Sequence, residues 1–440
     1  MLTFRTVMMG VALTLGAGPA VADEVDGLAE AVAQDYGYLE SLYHHLHRNP
    51  ELSFQEADTA AHLAGEMQEL GFDVTTGVGG HGIVGVLENG DGPTLMIRTD
   101  LDALPVREQT GLAYASNATA VEQTGQEVSV MHACGHDVHM TVFVGTARRL
   151  VELKALWSGT LVMIGQPAEE RGAGAKAMLE DGLFERFPRP DHAIALHVSA
   201  GVETGKLAYV PGFALANVDS VDITVHGIGG HGAYPHTTKD PVMLAARIVN
   251  NLQTIASREV DPQDPVVVTV GSIHGGAKHN VISDRVDMQL TVRSYADKTR
   301  ETVLSAIERI AVNAGRAAGF PEDRLPEVSI RDEYTPATYN DPELTRRLVD
   351  VIAPVLGGGN VIESKPVMGG EDFSRYGRAG VPSVMFWLGA VSPADMAAAE
   401  RGELDLPSLH SPFFAPVPEP TIRTGVTAMT TAAIDILGRE

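Results

Sequence analysis

The 440-residue chain contains a single cysteine, Cys134, so no intrachain disulfide can brace it. Its fold must stand on an apolar core and on whatever its polar residues hold. Basic residues are also scarce: 32 Lys and Arg stand against 57 Asp and Glu, a formal charge of −25. Such a surface repels nucleic acid and anionic membranes and excludes both as partners. Beyond one short N-terminal run, no apolar stretch approaches the ~20 residues that span a bilayer. Internal repeats and low-complexity linkers are missing too. What is present, 44% hydrophobic and 20% charged residues, suffices for one large or two ordinary domains and excludes disorder, collagen and coiled coil. The 16 histidines exceed what a bland composition needs, and several fall in short polar clusters.

The N-terminal run has the grammar of an export signal. Arg5 precedes an apolar, Gly- and Ala-rich stretch from Val7 to Ala17, and Ala20-Val21-Ala22 forms a small-residue cleavage site. Residues 1–22 are therefore expected to be removed after Ala22, giving a secreted protein, periplasmic in a two-membrane host.

Over 23–213 the pattern alternates helix and strand. Helical stretches are predicted near Leu28 to Leu46 and from Glu56 to Leu70. Continuous apolar runs follow at Thr94 to Ile97, Thr160 to Ile164 and His192 to Leu196. Such runs separated by helices predict an α/β domain with a mostly parallel sheet covered on both faces. Over 214–330 the grammar changes. Val286, Met288, Leu290 and Val292 alternate with polar residues, Asp240-Pro241 opens a helix with Asp as its cap, and another helix spans Lys298 to about Gly315. The order β-α-β-β-α-β is that of a ferredoxin-like α+β unit. The first grammar resumes over 331–440, with Asp341-Pro342 capping a helix and Val384 to Leu388 forming a strand. One discontinuous domain with a smaller one inserted is expected.

Each apolar run of the larger domain ends in a polar cluster: Arg98-Thr-Asp100-Leu-Asp102, Glu169-Glu170 and His197. Ligands of open parallel sheets bind beyond the carboxyl ends of the strands, so these clusters should converge in one crevice. Cys134 and His136, two residues apart around a glycine, offer a thiolate and an imidazole to a borderline metal; a buried structural cysteine is the alternative. His132 and His139 are weaker, flanking candidates. The Glu169-Glu170 pair suits a division of labour between metal ligand and general base, against an exposed acidic pair at a helix start. His197 and His410, each unremarkable alone, bring the candidate ligands to five, too many for one closed tetrahedral site and suited to two metals with a water between them. Tyr43-His44-His45 reads as a helical surface cluster.

Taken in order, His47-Arg48-Asn-Pro50-Glu51, Arg98 to Pro105, His132 to Asp137, Gly165 to Glu170, Gly230 to His236, Gly369 to Phe373 and His410-Ser-Pro412 resemble the M20 metallopeptidase family, in its amidohydrolase branch. The resemblance runs from about Leu39 to the C-terminus. It implies a zinc-peptidase-like catalytic domain with an inserted lid and dimerisation domain. It also implies two divalent ions, Zn2+ or Mn2+ with Co2+ or Ni2+ as alternatives, on Cys134, His136, Glu170, His197 and His410. Glu169 is then the general base and Asp102 the carboxylate that orients the site. His231 would polarise the scissile carbonyl, commonly from a partner subunit of a homodimer, while Asn280 and Arg293 would meet the substrate carboxylate. Arg293 also lies on the polar parity of its strand, where a guanidinium can grip a carboxylate bidentately or simply be solvated. The expected reaction is hydrolysis of the amide of an N-acyl amino acid. The alternatives are a dipeptidase or carboxypeptidase on the same chemistry, or a non-catalytic periplasmic binding protein.

Overall fold

A computed structural model describes residues 27–332 and 334–439. The export signal expected over 1–22 lies outside the described residues. The principal elements begin with helices α1 (Leu28–Arg48) and α2 (Ala57–Glu69) and strands β1 (Asp73–Val78), β2 (Gly82–Glu88) and β3 (Thr94–Asp100). Helix α3 (His136–Glu152) and strands β4 (Thr160–Gln166), β5 (His192–Glu203) and β6 (Leu207–Tyr209) follow. The chain then runs through β7 (Asn217–His226), α4 (Pro241–Thr254), β8 (Val266–Gly275), β9 (Arg285–Ser294), α5 (Asp297–Ala317) and β10 (Glu327–Ile330). It returns through α6 (Pro342–Leu356), β11 (Val361–Glu363), β12 (Ser383–Val391) and α7 (Pro418–Leu437).

The protein is α/β, with an eight-stranded sheet in the order β1-β2-β4-β3-β5-β12-β6-β11. Its centre, β4-β3-β5-β12, is parallel. Strands β3, β4 and β12 are buried along nearly their whole length, and β5 from Ala193 to Val198, because helices cover both faces. On one face α1, α3 and α7 close a core around Leu39, Leu63, Phe143 and Val426. On the other, Met178, Phe373, Tyr376 and Val381 form a second apolar layer. The edge β1-β2 is antiparallel, as is the contact of β6 with β12. The turn from β1 to β2 uses positive φ at Gly79 and Gly80, which lets the chain double back without a crossover helix.

Strands β8-β9-β7-β10 form a separate antiparallel sheet, the ferredoxin-like order, with α4 and α5 packed on one face. Val221, Ile223, Val286, Met288 and Leu290 turn inward against Leu244, Ile248, Val303 and Ile307. The opposite parity, including Ser220, Thr291 and Arg293, is half-buried on the open face. Asp240 and Asp341 each accept two backbone N–H groups at the starts of α4 and α6, with proline at the first helical position. Tyr43 departs from the surface cluster expected for 43–45. It is fully buried against His47 and Tyr114, because it falls on the stripe of α1 shared with Leu39, Leu42 and Leu46.

Candidate metal centre

The carboxyl ends of β3 and β4 deliver Asp100, Asp102, Glu169 and Glu170 to one crevice, the middle of β5 adds His197, and the turn into α3 brings Cys134 and His136. Gly135 makes that turn at φ +78, and a Cβ there would sit 2.6 Å from Val198 Cγ2. Only glycine fits between the two donors. His410 arrives from a long connection after β12 with its own backbone at φ +67, and Ala168, just before the glutamate pair, stands at φ +50. Left-handed backbone at two non-glycine residues is held here by surrounding contacts, and strain of this kind gathers at functional sites. The Ala168 N–H, for example, donates to Glu56 Oε1 at 2.8 Å.

Of five groups of potential donor atoms lying within 4.8 Å of one another among the described residues, two overlap at Cys134, one with His136 and His197 and one with Glu170 and His410, and a third joins His136 to Glu169 and Glu170. Cys134 Sγ lies 3.5 Å from His197 Nε2, and His410 Nε2 lies 3.4 Å from Glu170 Oε2. His136 Nε2 stands 3.8 Å from Glu170 Oε1, and both atoms are buried with no hydrogen-bond partner. The far nitrogens fix the tautomers. His136 Nδ1 donates to the Asp102 carbonyl and His197 Nδ1 to the Val198 carbonyl, each at 2.7 Å, which leaves both Nε2 lone pairs facing the gap.

The electrostatics of the donor set suit a cation. Burial, with the neighbouring Glu170 and Glu169, pushes the Cys134 thiol well up. Burial and the Glu371 and Glu170 carboxylates hold Glu169 well above the usual range, while burial with Asp102 raises Glu170 to about 7. Burial disfavours an imidazolium at His136, yet Asp100, Asp102 and Glu170 raise it to about 10. His197 is driven well below its ordinary value by burial and by His139, and so stays neutral and ligand-competent. A thiolate, imidazoles and carboxylates around two orphaned buried atoms fit divalent metal.

Asp102 braces the glutamate pair through the backbone. Its Oδ1 accepts the Glu169 N–H at 3.0 Å and its Oδ2 the Glu170 N–H at 3.1 Å, with the Ser53 hydroxyl at 2.6 Å. Behind it lies a network the sequence reading left without roles. Asp100 accepts from His139 Nδ1 at 2.8 Å, and His139 Nε2 accepts the Val198 N–H at 2.9 Å, so His139 is saturated and supports rather than ligates. The buried Arg98 guanidinium meets Asp100 at 2.6 Å, Glu371 at 2.9 Å, Asp372 at 3.3 Å and Gln166 at 3.1 Å. Arg98 and Glu371 belong to the Arg98–Pro105 and Gly369–Phe373 motifs, but nothing local joins residues so far apart in the chain.

His47 secures α1 to the start of α3. Its ring faces Asp137 at 2.6 Å and Glu108 at 3.2 Å and is buried. Burial opposes its protonation, but hydrogen bonds to Asp137 and Glu108 raise it to about 9. The folded value lies above the ordinary 6.5, so its contribution is whole below about 6.5 and vanishes as pH rises through about 9. The shift corresponds to roughly 3 kcal/mol. Urea unfolding of wild type and His47→Gln should therefore differ most near pH 6 and converge by about that amount near pH 10; a gap independent of pH contradicts the pairing.

A cleft of about 610 Å3 opens over the donors, lined by Cys134, Glu169, Glu170, His197 and His410 and, from the inserted domain, Arg293. Arg293 is half-buried and donates to the Met368 carbonyl at 3.0 Å. His231 and Asn280 are not in this cleft. They sit together on an exposed two-stranded arm where Gly230–His231 pairs with Val281–Ile282. A second cavity, of about 480 Å3 around Phe213, Tyr295 and Tyr339, touches none of the donors.

Paired carboxylates, Cys and His donors and a cationic wall in one cleft define a metal-dependent amide hydrolase. The chain belongs to peptidase family M20/M25/M40, whose model matches residues 96–411. It is 35% identical over 371 residues to thermostable carboxypeptidase 2 of Saccharolobus solfataricus, covering 83% of this chain and 89% of that protein. Hippurate hydrolase of Campylobacter jejuni is 36% identical over 343 residues, covering 77% and 85%. The Bacillus subtilis YXEP protein, described as a dinuclear metal binding peptidase from the M20 family, superposes with a TM-score of 0.74 at 26% identity, over 92% of this chain and 99% of that one.

Proposed function

We propose that the protein hydrolyses the amide of N-acyl amino acids to a carboxylic acid and a free amino acid. The observation that carries this reading is Arg293 in the wall of the donor cleft, a guanidinium placed for the carboxylate of an amino-acid leaving group. Two divalent ions, Zn2+ or Mn2+, would be held by Cys134, His136 and His197 on one side and by Cys134, Glu170 and His410 on the other. When bound, they supply Lewis acidity and lower the pKa of water toward about 7. Glu169 takes a proton from the attacking water as the new C–O bond forms, and returns it to the amine nitrogen as the C–N bond breaks. Asp102 holds the backbone of both glutamates in place.

His231 completes the site from a second subunit. Its Nδ1 accepts the Ala233 N–H at 3.0 Å, so Nε2 carries the proton and faces outward as a donor to the developing oxyanion. Exposed Ile228, Tyr234 and Val281 beside it give the arm an apolar surface for such a contact. His231→Ala should keep its metal and lose turnover by about a hundred- to a thousandfold. Mixing it with inactive Glu169→Gln should restore activity in mixed dimers. Failure of mixing to rescue any activity, with dimers present, rules out donation across subunits.

The same cleft would serve a carboxypeptidase, a reading favoured by the relative that bears that name, since the leaving group is again a free amino acid. Rates on acetyl, benzoyl and aminoacyl derivatives of one amino acid, with metal content by mass spectrometry, separate the two. Tight binding without hydrolysis in metal-loaded protein would instead mark a binding protein. Export with cleavage after Ala22 belongs to this reading, and a mature chain beginning at Asp23 is its test.

A further inference from the structure

Among the described residues, three other than glycine hold left-handed backbone: Phe54, Ala168 and His410, at φ +61, +50 and +67. Two of them donate to one oxygen. Glu56 Oε1 accepts the N–H of Phe54 and the N–H of Ala168, each at 2.8 Å. A residue with a Cβ does not rest in this region unaided, so an acceptor shared by both N–H groups stabilises both turns against relaxation. Glu56 stands immediately before α2, where a side-chain acceptor ordinarily caps the helix, yet its carboxylate does not do so. Glu51 caps α2 instead, accepting the N–H groups of Asp58 at 3.3 Å and Thr59 at 2.7 Å. Glu56 is fully buried and its Oε2 finds no partner. A carboxylate so placed costs stability, and neither capping nor packing accounts for it.

We propose that Glu56 is a positioning residue of the hydrolytic site, which aims Glu169 and Glu170 by fixing the backbone one residue ahead of them. The inference rests on the amidohydrolase reading and deepens it. Ala168, Glu169 and Glu170 present three successive N–H groups, of which Glu56 accepts the first and Asp102 the other two. The same two carboxylates hold the segment before α2, Glu56 through the Phe54 N–H and Asp102 through the Ser53 hydroxyl at 2.6 Å. Two side chains thus lace the glutamate turn to residues 53 and 54. The Phe54 ring centroid lies 5.9 Å from the guanidinium of Arg171, the residue that follows the pair. Without the Glu56 oxygen, Ala168 is free to relax toward the regions its Cβ prefers, which rotates the next peptide and with it both glutamate side chains.

The test compares Glu56→Leu, which removes the acceptor, with Glu56→Gln, which keeps one oxygen on the same stem, and with Glu51→Ala, which loosens only the start of α2. In metal-loaded protein Glu56→Leu should lower kcat about tenfold or more with KM changed less than about twofold, because Arg293 and its wall are untouched. Glu56→Gln should keep at least about half of wild-type kcat, and Glu51→Ala should unfold at lower urea with kcat unchanged. In metal-free protein, amide deuterium exchange across 168–170 should quicken about tenfold in Glu56→Leu and stay as in wild type in the other two. Ala168→Gly, whose backbone rests at positive φ unaided, should return part of the lost kcat when added to Glu56→Leu, or its folding where that variant does not fold. Equal losses of kcat in Glu56→Leu and Glu51→Ala, a folded Glu56→Gln as impaired as Glu56→Leu, or a double variant no better than Glu56→Leu overturns the assignment. A metal-loaded wild type that cleaves no N-acyl amino acid overturns the parent reading instead, and the exchange measurement then judges the hold of Glu56 on the turn by itself.

Discussion

Glu169→Gln is expected to fold, to keep its divalent metal and to lose turnover by about 10² to 10⁴. Glutamine preserves the shape of the side chain and the backbone N–H that Asp102 accepts at 3.0 Å, so the glutamate turn should not move. What disappears is a carboxylate able to accept a proton. Glu169 is suited to that task by its surroundings: burial and the Glu371 and Glu170 carboxylates hold it well above the usual range, so a proton once taken is retained for the departing amine. Metal content decides the rival reading. Glu169 Oε2 lies 3.9 Å from His136 Nε2, near enough to the donors to ask whether it ligates. A variant that is inactive because it has lost metal would move Glu169 into the ligand set, and one that keeps more than a tenth of wild-type turnover would remove it from the chemistry.

Arg98→Met should lower stability by about 3 to 5 kcal/mol at pH 7.5, the cost of breaking a buried ion pair and leaving charge uncompensated. Three carboxylates depend on this guanidinium: Asp100, Glu371 and Asp372. Burial already raises Glu371 to about 7 and Asp372 to about 6, with Arg98 opposing the rise. Without Arg98 both sit higher, so the variant must take up protons to fold at pH 7.5. The penalty relative to wild type should shrink as pH falls toward 5.5, because the unfolded carboxylates then surrender less on protonation. Arg98→Lys keeps the charge but loses the planar fork and should fall between the two. A penalty that does not change with pH would mean that packing, and not charge, is what Arg98 provides.

How much of this was legible in the sequence depended on whether a signal was local. The Asp-Pro starts of α4 and α6 and the alternation along β9 declare themselves within a few residues, and the structure carries them as expected. The α/β class with an inserted ferredoxin-like unit followed from such signals. The antiparallel return of β2 did not, because an apolar run has no direction; the short glycine turn that sets it is visible only once the strands are paired. The donor residues could be named because metal chemistry restricts residue types, and the structure places all five around one gap. Arg98 and Glu371 escaped because they are 273 positions apart and each resembles an ordinary charged residue until they meet. His231 and Asn280 were chosen by resemblance alone, and within one chain they stand outside the cleft.

The position of Asp102 has a consequence for how variants of this enzyme should be interpreted. One carboxylate clamps the main chain of two adjacent residues whose duties differ, one proposed to hold metal and the other to move protons. Those duties are therefore mechanically ganged: any slack introduced at Asp102 displaces both at once. Loss of metal and loss of turnover would then arrive together and could not be apportioned by single substitutions there, so Asp102 variants report on the coupling between the two glutamates and not on either alone.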